Sequence, residues 1–496
     1  MNEIYELIVQ GIDVRQNLSQ LRQIIKNDHE RQNLSKIVED EPETLCGLLG
    51  NDDAKTRKNV ALLMGDLALP VFLSSLWEGY DKEEQLFVKS SYLTALKFLD
   101  YRAYMPQLKK RLDELRKTEL TTENKKHVEE EMRILSELTI AIEGIQKHAF
   151  TGSDEAIECI FLTNRAHKEV TAEQISKRDE SAELLPFHAG VHVKTSHLEK
   201  LLSIRTYSEL LFAVKGIKSC ERNPKTVATK IAASDLLPFL KRTHDGTTPF
   251  YFRIEVKSKM PLSEKSDFVK KLSSEIERET DRQLVNSTSN YEVELRLIEN
   301  KEGNFNVLLR LHTIPDTRFD YRKEVVSSSM KPVNAALLVE LAREYMAEDA
   351  QVLDPFCGVG TMLIERQKVV KANTSYGIDI LSEAITKARI NTEAAGQIVH
   401  YINKDFFDFT HEYLFDELFT NMPFQTGHTT DEMISDIYVR LFEKAPQLLR
   451  KGGRVILYSH NASLVTKLSS QYHYAILKQW EIMNREGTVL FVMEIL

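Results

Sequence analysis

Segments with a strand pattern and segments with a helix pattern alternate along the chain from Gln351 onward. The predicted strands are Gln351–Asp354, Ser375–Ile380, Val399–Ile402, Glu417–Thr420 and Arg454–Tyr458. The predicted helices are Thr361–Val370, Ser382–Ala395 and Asp431–Leu449. This order predicts an α/β fold, in which helices cover both faces of a mainly parallel sheet. Two closing strands, Ala475–Trp480 and Thr488–Ile495, are joined by a short turn, so we expect them to form an antiparallel hairpin.

The first 150 residues have a helical pattern throughout. Apolar residues recur at steps of three and four from Ala54 to Leu69, and a similar face follows from Phe87 to Leu99. Asp53 and Asp81 precede these two segments and suit helix starts. The spacing predicts either a HEAT-like solenoid of paired helices or a non-repetitive helical bundle.

Residues 151–320 mix both periodicities. Strand patterns occur around Cys159–Leu162 and over Phe250–Val256, Tyr291–Leu297 and Asn304–Leu311, and a helix pattern covers Lys265–Leu284. This mixture predicts an α+β domain. The expected domains are therefore 1–150, 151–320 and 321–496, in agreement with a length of 496 residues.

Composition limits the classes of function. The charged fraction is 28% and the net charge is −9, so overall charge gives no sign of nucleic-acid binding. The least acidic part is 151–320, where basic and acidic residues are equal in number. No run of 18 apolar residues appears, so no membrane segment is expected. The four cysteines are scattered, which argues against a zinc site or disulfides and favours the cytoplasm.

The most informative loop follows the first of the alternating strands. Asp354 ends that strand, and Gly358 and Gly360 lead into the next helix. Glycines at the carboxyl end of a strand let a ligand approach the backbone closely. The third glycine of a dinucleotide site is absent, because Leu363 stands there, and no phosphate-binding lysine follows. The acid at Asp354 suits a cationic ligand group.

Two more acids follow at the ends of the next two strands. Asp379 ends the strand after the glycine loop, where a carboxylate can accept both ribose hydroxyls of an adenosine. Asp405 follows the next strand and can accept a hydrogen bond from the adenine amino group. Three acids at three successive strand ends indicate a bound nucleoside more than three solvated turn residues.

The next strand ends in Thr420-Asn421-Met422-Pro423-Phe424. The set D-P-F-C-G-x-G-T (354–361), G-I-D (377–379), K-D (404–405) and T-N-M-P-F (420–424) resembles the Rossmann-like methyltransferases that act on exocyclic amines. Their signature is [ND]-P-P-[YFW], and this chain departs from it by carrying Met422 where the first proline stands. The missing proline predicts a looser loop at this position, which would affect rate and substrate choice.

The resemblance implies S-adenosylmethionine as cofactor, no metal, and a seven-stranded Rossmann-like methyltransferase domain over residues 321–496. The implied cofactor-binding residues are Asp354, Phe356, Gly358, Gly360, Thr361, Asp379, Ile380, Asp405 and Phe406. The implied catalytic residues are Asn421, Met422, Pro423 and Phe424. The side-chain oxygen of Asn421 and the carbonyl of Met422 can accept the two N–H bonds of a conjugated amine. Phe424 can then stack on the base and align it.

The segment 151–325 resembles THUMP-containing RNA methyltransferases. Leu202–Tyr207 (LSIRTY) is similar to the L-x-x-R-T-x-S segment of the guanine-N2 members, and Phe250–Leu311 is similar to THUMP itself. The resemblance implies a cytoplasmic enzyme that methylates guanine N2 in structured RNA, with tRNA first and 23S rRNA second. Exposed lysines of this segment are then candidate phosphate contacts, and the N-terminal helices lie outside the resemblance and are a candidate protein-docking module.

Two other functions remain open at this point. One is an N-P-P-Y-type enzyme that methylates adenine or a protein glutamine. The other is a non-catalytic scaffold, in which Met422 marks a fold that is kept for binding. Cys357 is expected to pack the loop, and His428 and His460 are either substrate contacts or ordinary surface histidines. The segments Tyr321–Lys323 and Lys331–Pro332 either line the mouth of the site or form a solvated basic run.

Overall fold

The computed structural model divides the chain into two compact units, Met1–Gln146 and Lys147–Leu496. It describes residues 1–116, 118, 121, 123–143, 148–246, 249–425, 429–483 and 486–496. Within this described part, no helix is both long and apolar enough to cross a membrane.

The first unit is helical, as the sequence predicts. Its described helices are α1 (Asn2–Val9), α2 (Val14–Ile24), α3 (Asp28–Asp40), α4 (Glu43–Leu48), α5 (Ala54–Leu67), α6 (Leu73–Lys82), α7 (Leu86–Leu96), α8 (Met105–Arg116) and α9 (Lys125–Glu143). The helix α5 packs on α2 and α7, and α7 packs on α6 and α9. Their apolar faces form one buried core. Whether this stack is a HEAT-like solenoid stays a prediction.

The two segments with the predicted apolar repeat are the helices α5 and α7. They approach closely, since a Cβ added to Gly65 would lie 2.6 Å from the Cα of Ala95. Asp53 caps α5 by accepting hydrogen bonds from the backbone N–H groups of Lys55 and Thr56, as expected. The prediction for Asp81 was wrong. It lies inside α6, because that helix continues to Lys82.

Residues 148–320 contain a sheet that is separate from the C-terminal one, together with further helices. Its strands are β1 (Ile157–Thr163), β2 (Glu183–Phe187), β3 (Gly190–Thr195), β4 (Tyr207–Ala213), β5 (Ser219–Cys220), β6 (Phe250–Lys257), β7 (Leu284–Asn286), β8 (Val293–Glu299) and β9 (Phe305–Leu311). The helices are α10 (Lys168–Arg178), α11 (Leu198–Leu201), α12 (Pro224–Ala232), α13 (Leu236–Thr243) and α14 (Leu262–Glu279). Over the described residues the strand order is β2-β3-β1-β4-β9-β8-β6-β7, and β5 pairs with β9.

The mixed pattern of this region is confirmed, with one boundary corrected. The four predicted strands are β1, β6, β8 and β9, and the other strands were not predicted. The predicted helix Lys265–Leu284 ends earlier, at Glu279, because Asp281 and Arg282 adopt positive φ angles of 48° and 56°. Leu284 then begins β7. Assignment of this region as a THUMP domain stays a prediction, as does its boundary at residue 320.

The C-terminal region alternates as predicted. Its helices are α15 (Pro332–Ala342), α16 (Thr361–Val369), α17 (Ser382–Ala394), α18 (Asp431–Leu448) and α19 (Ala462–Gln471). Its strands are β10 (Ala350–Asp354), β11 (Ala372–Asp379), β12 (His400–Asn403), β13 (Phe415–Asn421), β14 (Leu449–Ser459), β15 (Tyr474–Met483) and β16 (Thr488–Ile495). Among the described residues the sheet order is β12-β11-β10-β13-β14-β16-β15. The helix α19 was not predicted.

Pairing in this sheet follows the predicted directions. The strands β12, β11, β10, β13 and β14 run parallel, and β16 is antiparallel to both β14 and β15. The predicted strand Arg454–Tyr458 begins earlier, at Leu449, and its pairing has an irregularity near Gly452, which has a φ of 74°. The turn predicted at Asn484–Gly487 includes residues 484 and 485, which lie outside the described residues. The strand β10 is the middle one of the five parallel strands. Because these strands run in the same direction, their carboxyl ends lie on the same side of the sheet.

Candidate active site

A cavity of about 530 Å³ lies at the carboxyl ends of β10, β11, β12 and β13. All the site residues predicted from the sequence line it, except Asp354 and Gly360. The sequence did not point to the other lining residues, which are Val326, Ser328, Ser329, Met330, Pro355, Val359, Met362, Leu381, Phe407, Thr429, Ile434, Ile437 and Arg440. Most of these are apolar and come from segments distant in sequence.

The two glycines of the loop after β10 are required for different reasons. Gly358 has a φ of 52°, and an added Cβ would meet no atom within 4 Å, so its backbone is open to a ligand. Gly360 has a φ of 82°, and an added Cβ would lie 2.2 Å from the hydroxyl of Tyr401. That hydroxyl is fixed by a 2.7 Å hydrogen bond with Thr392 on α17. Gly360 therefore allows close packing of α16 beside α17 rather than direct contact with a ligand.

Asp354 lies beneath this loop and is fully buried. Its Oδ1 accepts hydrogen bonds from the backbone N–H of Phe356 at 3.1 Å and from the hydroxyl of Thr420 at 2.5 Å. Its Oδ2 is buried and has no hydrogen-bond partner among the described residues. Burial, together with the charge of Asp379, raises the pKa of Asp354 to about 7. A cation bound nearby would lower this pKa and favour the ionised carboxylate.

The carboxylate of Asp379 joins two loops. It accepts a 2.9 Å hydrogen bond from the N–H of Gly358 through Oδ2 and another of 2.9 Å from the N–H of Leu381 through Oδ1. Each oxygen keeps a further lone pair for a ligand. Asp405 similarly accepts a 2.9 Å hydrogen bond from the N–H of Phe407. Both acids therefore shape the cavity wall as well as offering acceptors to a ligand.

Apolar side chains cover the same part of the cavity. Ile380 and Leu381 are 68% and 58% exposed, although each lines the cavity. The rings of Phe356 and Phe406 meet edge to face, with centroids 5.8 Å apart. Exposed apolar side chains inside a cavity indicate an apolar ligand face that would cover them.

The end of β13 and the residues that follow it form a further part of the cavity wall. Asn421 has a buried Oδ1 with no hydrogen-bond partner among the described residues. The side chain of Met422 is fully buried in the core, and its backbone N–H donates a 2.9 Å hydrogen bond to the carbonyl of Tyr458. A proline at this position has no N–H and cannot form that bond. The substitution therefore attaches the loop to β14, where the sequence alone indicated a looser loop.

Residues 324–330 bring a further segment to the mouth of the cavity. Asn391 on α17 donates a 2.9 Å hydrogen bond to the carbonyl of Glu324 and accepts one of 2.9 Å from its N–H. Ser328, Ser329 and Met330 then line the cavity. The predicted mouth residues Tyr321–Lys323 and Lys331–Pro332 are not among the described residues that line it.

Two remaining predictions concern single side chains. Cys357 lines the cavity, and burial raises the pKa of its thiol well above the ordinary value, which disfavours a nucleophilic thiolate. His428 lies outside the described residues. Among the described residues, no group of three or more His, Cys, Asp or Glu side chains is arranged to hold a metal ion.

The catalytic region matches a known family model. Residues 320–488 match the UPF0020 family, described as "RMKL-like, methyltransferase domain". The match includes every site residue named above and begins just before the segment that lines the cavity mouth. This region is therefore similar to methyltransferase domains.

Similar folds occur in solved structures over more of the chain. The crystal structure of TrmN from Thermus thermophilus is 19% identical, with a TM-score of 0.51, and the alignment covers 68% of this chain and all of that one. SMU.472, described as "a putative methyltransferase complexed with SAH", is 14% identical with a TM-score of 0.52, and the alignment covers 69% of this chain and 98% of that one. A Listeria monocytogenes protein described as "a predicted N6-adenine-specific DNA methylase" is 15% identical with a TM-score of 0.51, and the alignment covers 68% of this chain and 96% of that one. These shares exceed residues 320–488, so the similarity in fold extends beyond the catalytic region.

Proposed function

We propose that this chain is an S-adenosylmethionine-dependent RNA methyltransferase that modifies the exocyclic N2 amine of a guanine, in tRNA first and in 23S rRNA second. The observation that carries this proposal is the unpaired, buried Oδ1 of Asn421 at the wall of the cavity. A buried acceptor without a donor is costly, and an amine N–H in the cavity would satisfy it.

The residues around the glycine loop fit the cofactor. S-adenosylmethionine carries a methyl group on a positively charged sulfonium, which makes that methyl group electrophilic. The unpaired Oδ2 of Asp354 suits the cationic part, and the open backbone at Gly358 leaves room for close contact. Asp379 would accept the ribose hydroxyls, and Ile380 would cover a face of the adenine. The complex of SMU.472 with SAH supports a cofactor of this class in this fold.

The part of the wall formed by Asn421–Phe424 suits an amine attached to an aromatic ring. The lone pair of such an amine is delocalised, so the amine is a weak nucleophile. Two acceptors, Asn421 Oδ1 and the Met422 carbonyl, would bind its N–H bonds and favour a more nucleophilic geometry. Phe424 would stack on the base, and Pro423 would hold the carbonyl of Met422 in place. This site needs orientation and electrostatics more than a strong general base.

The proposed substrate is structured RNA. A paired guanine would have to leave its stack to reach Asn421 and Phe424. In the proposed THUMP-like region, four exposed lysines suit contacts with phosphates: Lys257, Lys259, Lys270 and Lys271. The fold shared with TrmN beyond the catalytic region supports a common arrangement of these two parts. We place the enzyme in the cytoplasm and assign the N-terminal helices a docking role, both as proposals.

The test uses the purified full chain and labelled S-adenosylmethionine. Total RNA from a strain that lacks the protein is the acceptor, and nucleosides are analysed after digestion. We expect the label in N2-methylguanosine of the tRNA fraction. Label in rRNA would support the methyltransferase activity and identify rRNA rather than tRNA as the substrate. No label in any RNA would contradict the proposal.

A variant pair makes this test specific to the site. Asn421→Ala should reduce methyl transfer at least a hundredfold, because the amine loses an acceptor, and should leave cofactor affinity unchanged in a calorimetric titration. Asn223→Ala is a matched control, because Asn223 caps α12 far along the chain from the cavity and should leave turnover unchanged. Unchanged turnover in Asn421→Ala would contradict the role assigned to Asn421.

The second candidate function is methylation of an adenine. It is favoured by the similarity in fold to the Listeria N6-adenine-specific DNA methylase. Asn421 Oδ1 and the Met422 carbonyl would also accept the N–H bonds of an adenine N6 amine. The two functions are therefore distinguished by the nucleoside that carries the label. N6-methyladenosine in place of N2-methylguanosine, or N6-methyladenine in a DNA acceptor, would establish this alternative.

A further inference from the structure

Two aromatic rings from neighbouring strand ends are stacked beside the cavity. Phe424 follows β13, and His460 follows β14. Their ring centroids lie 4.4 Å apart, and their planes differ by 24°. The strands themselves are parallel neighbours, with Asn421 paired to Tyr458 in the register. The stack therefore continues the β13–β14 pairing beyond the last ladder residues.

His460 is held from both of its chain neighbours. Ser459 forms a 2.9 Å hydrogen bond with the hydroxyl of Tyr438 on α18, and its Oγ accepts another of 2.9 Å from the N–H of Asn461. The side chain of Asn461 then caps α19 by accepting from the N–H of Leu464 at 3.1 Å. The ring of Tyr458 meets that of His460 edge to face at 5.6 Å. The backbone on either side of the imidazole is thus fixed by a strand end and a helix cap.

The two rings have different relations to the cavity. Phe424 lines it, whereas His460 is not among the described residues that do. The imidazole lies against one face of the Phe424 ring. Burial lowers the pKa of His460, with only an opposing effect from Glu486, so the imidazole is neutral at pH 7. A neutral ring is suited to stacking and has no charge to place near a sulfonium.

We propose that His460 is a positioning residue, whose imidazole backs the Phe424 ring and holds it in the orientation that stacks on the target base. The inference rests on the proposed function, because it supplies a target base. An unsupported phenylalanine ring would lose rotamer freedom when the base binds, whereas a ring already stacked on His460 has lost it before. His460 acts through Phe424 and exchanges no proton with the substrate, since it is not among the described residues that line the cavity.

Substitutions at His460 separate support by stacking from proton transfer. His460→Ala should lower kcat/KM for RNA by roughly tenfold, mainly through a higher KM, because the supporting ring is gone. Its affinity for S-adenosylmethionine, measured by calorimetry, should stay unchanged. His460→Phe keeps a flat ring without any titratable nitrogen and should restore kcat/KM to within about twofold of the wild type. If His460→Phe fails as His460→Ala does, or if His460→Ala has no effect, the proposal is overturned.

A spectroscopic measurement tests the stack without turnover. In protein labelled with ¹³C at histidine Cε1, the signal of His460 is identified by its loss in His460→Phe. Phe424→Leu removes the facing ring and should shift this signal downfield by several tenths of a ppm, whereas an unshifted signal would contradict the stack. A wild-type protein that binds the cofactor but methylates no RNA would contradict the proposed function instead, and the ¹³C measurement would still decide whether the rings are stacked.

Discussion

Arg205 forms a two-bond ion pair with Glu365, although the two residues are 160 positions apart. Arg205 lies just before β4, and its Nε and Nη2 donate to the two carboxylate oxygens at 2.8 and 2.5 Å. Glu365 lies on α16, the helix that begins at the glycine loop, and is fully buried. The hydroxyl of Tyr321 donates a further 2.6 Å hydrogen bond to the same carboxylate. Ion pairing thus joins the segment Leu202–Tyr207 to α16, the helix that follows the glycine loop.

The first prediction concerns this ion pair. Arg205→Ala should lower the free energy of unfolding by about 3–5 kcal/mol, because Glu365 would stay buried without its cation. Equilibrium urea unfolding measures this in a Trp77→Phe background, where Trp480 in β15 is the remaining tryptophan and reports on the second unit.

A control for this measurement is Arg222→Ala. Arg222 pairs with Glu264 and Glu299, and its side chain is 35% exposed, so its loss should cost less than about 1 kcal/mol. Equal losses in the free energy of unfolding for the two variants would show that the Arg205–Glu365 pair has no special role in joining the segment before β4 to α16.

The second prediction is a pH dependence of cofactor affinity. The folded protein holds the proton of Asp354 up to about pH 7, whereas the unfolded chain releases it near pH 4, as an ordinary aspartate does. Between about pH 4 and pH 7 the unfolded chain is therefore ionised at this carboxyl while the folded protein is not. The free energy of unfolding of the cofactor-free protein falls as the pH rises through this range. A cationic cofactor would favour the ionised form and release the proton. We expect the affinity for S-adenosylmethionine to rise about tenfold from pH 6 to pH 8.

Calorimetry in two buffers of different ionisation enthalpy measures both this affinity and the released proton. Asp354→Asn removes the titrating group, so its weaker affinity should vary much less with pH than that of the wild type. Wild-type affinity that is the same at pH 6 and pH 8 would show that Asp354 does not sense the cofactor charge.

The third prediction concerns Met422. Met422→Pro removes the N–H that bonds to the carbonyl of Tyr458 and leaves a smaller side chain in the core. We expect a loss of about 2–4 kcal/mol in the free energy of unfolding, from one buried unsatisfied carbonyl and a cavity. Met422→Leu keeps the N–H and nearly the same volume, and should cost less than about 1.5 kcal/mol. A proline variant as stable as the wild type would mean that the hydrogen bond contributes nothing.

The fourth prediction concerns Asp379. Asp379→Ala should weaken S-adenosylmethionine binding more than tenfold, because it removes a ribose acceptor and also frees the N–H groups of Gly358 and Leu381. Glu383→Ala is a nearby control, since Glu383 lies on the exposed side of α17 and pairs with Lys387. Calorimetric titration of both variants measures the difference. Equal affinities of the two variants would exclude Asp379 from the cofactor site.

The order of strands and helices after residue 350 and the positions of the glycines and acids were evident from the sequence, because each depends on local periodicity or on a residue type at a strand end. The same local signals produced the errors. Asp81 suits a helix start but is inside α6, and the pattern of α14 runs on past Asp281, where the backbone turns. A local pattern does not show where a neighbouring element begins.

What the tertiary structure alone decided are contacts between residues far apart in the chain. The sequence contains Arg205 and Glu365, but only the tertiary contact between the segment before β4 and α16 brings them together. It marks Met422 as a departure from a motif, and only the register of β13 on β14 gives its N–H a partner. The sequence leaves His460 as either a substrate contact or a surface histidine, and only the packing of the strand ends stacks its ring on Phe424. Such contacts depend on how distant elements pack, which no local pattern of residue types encodes.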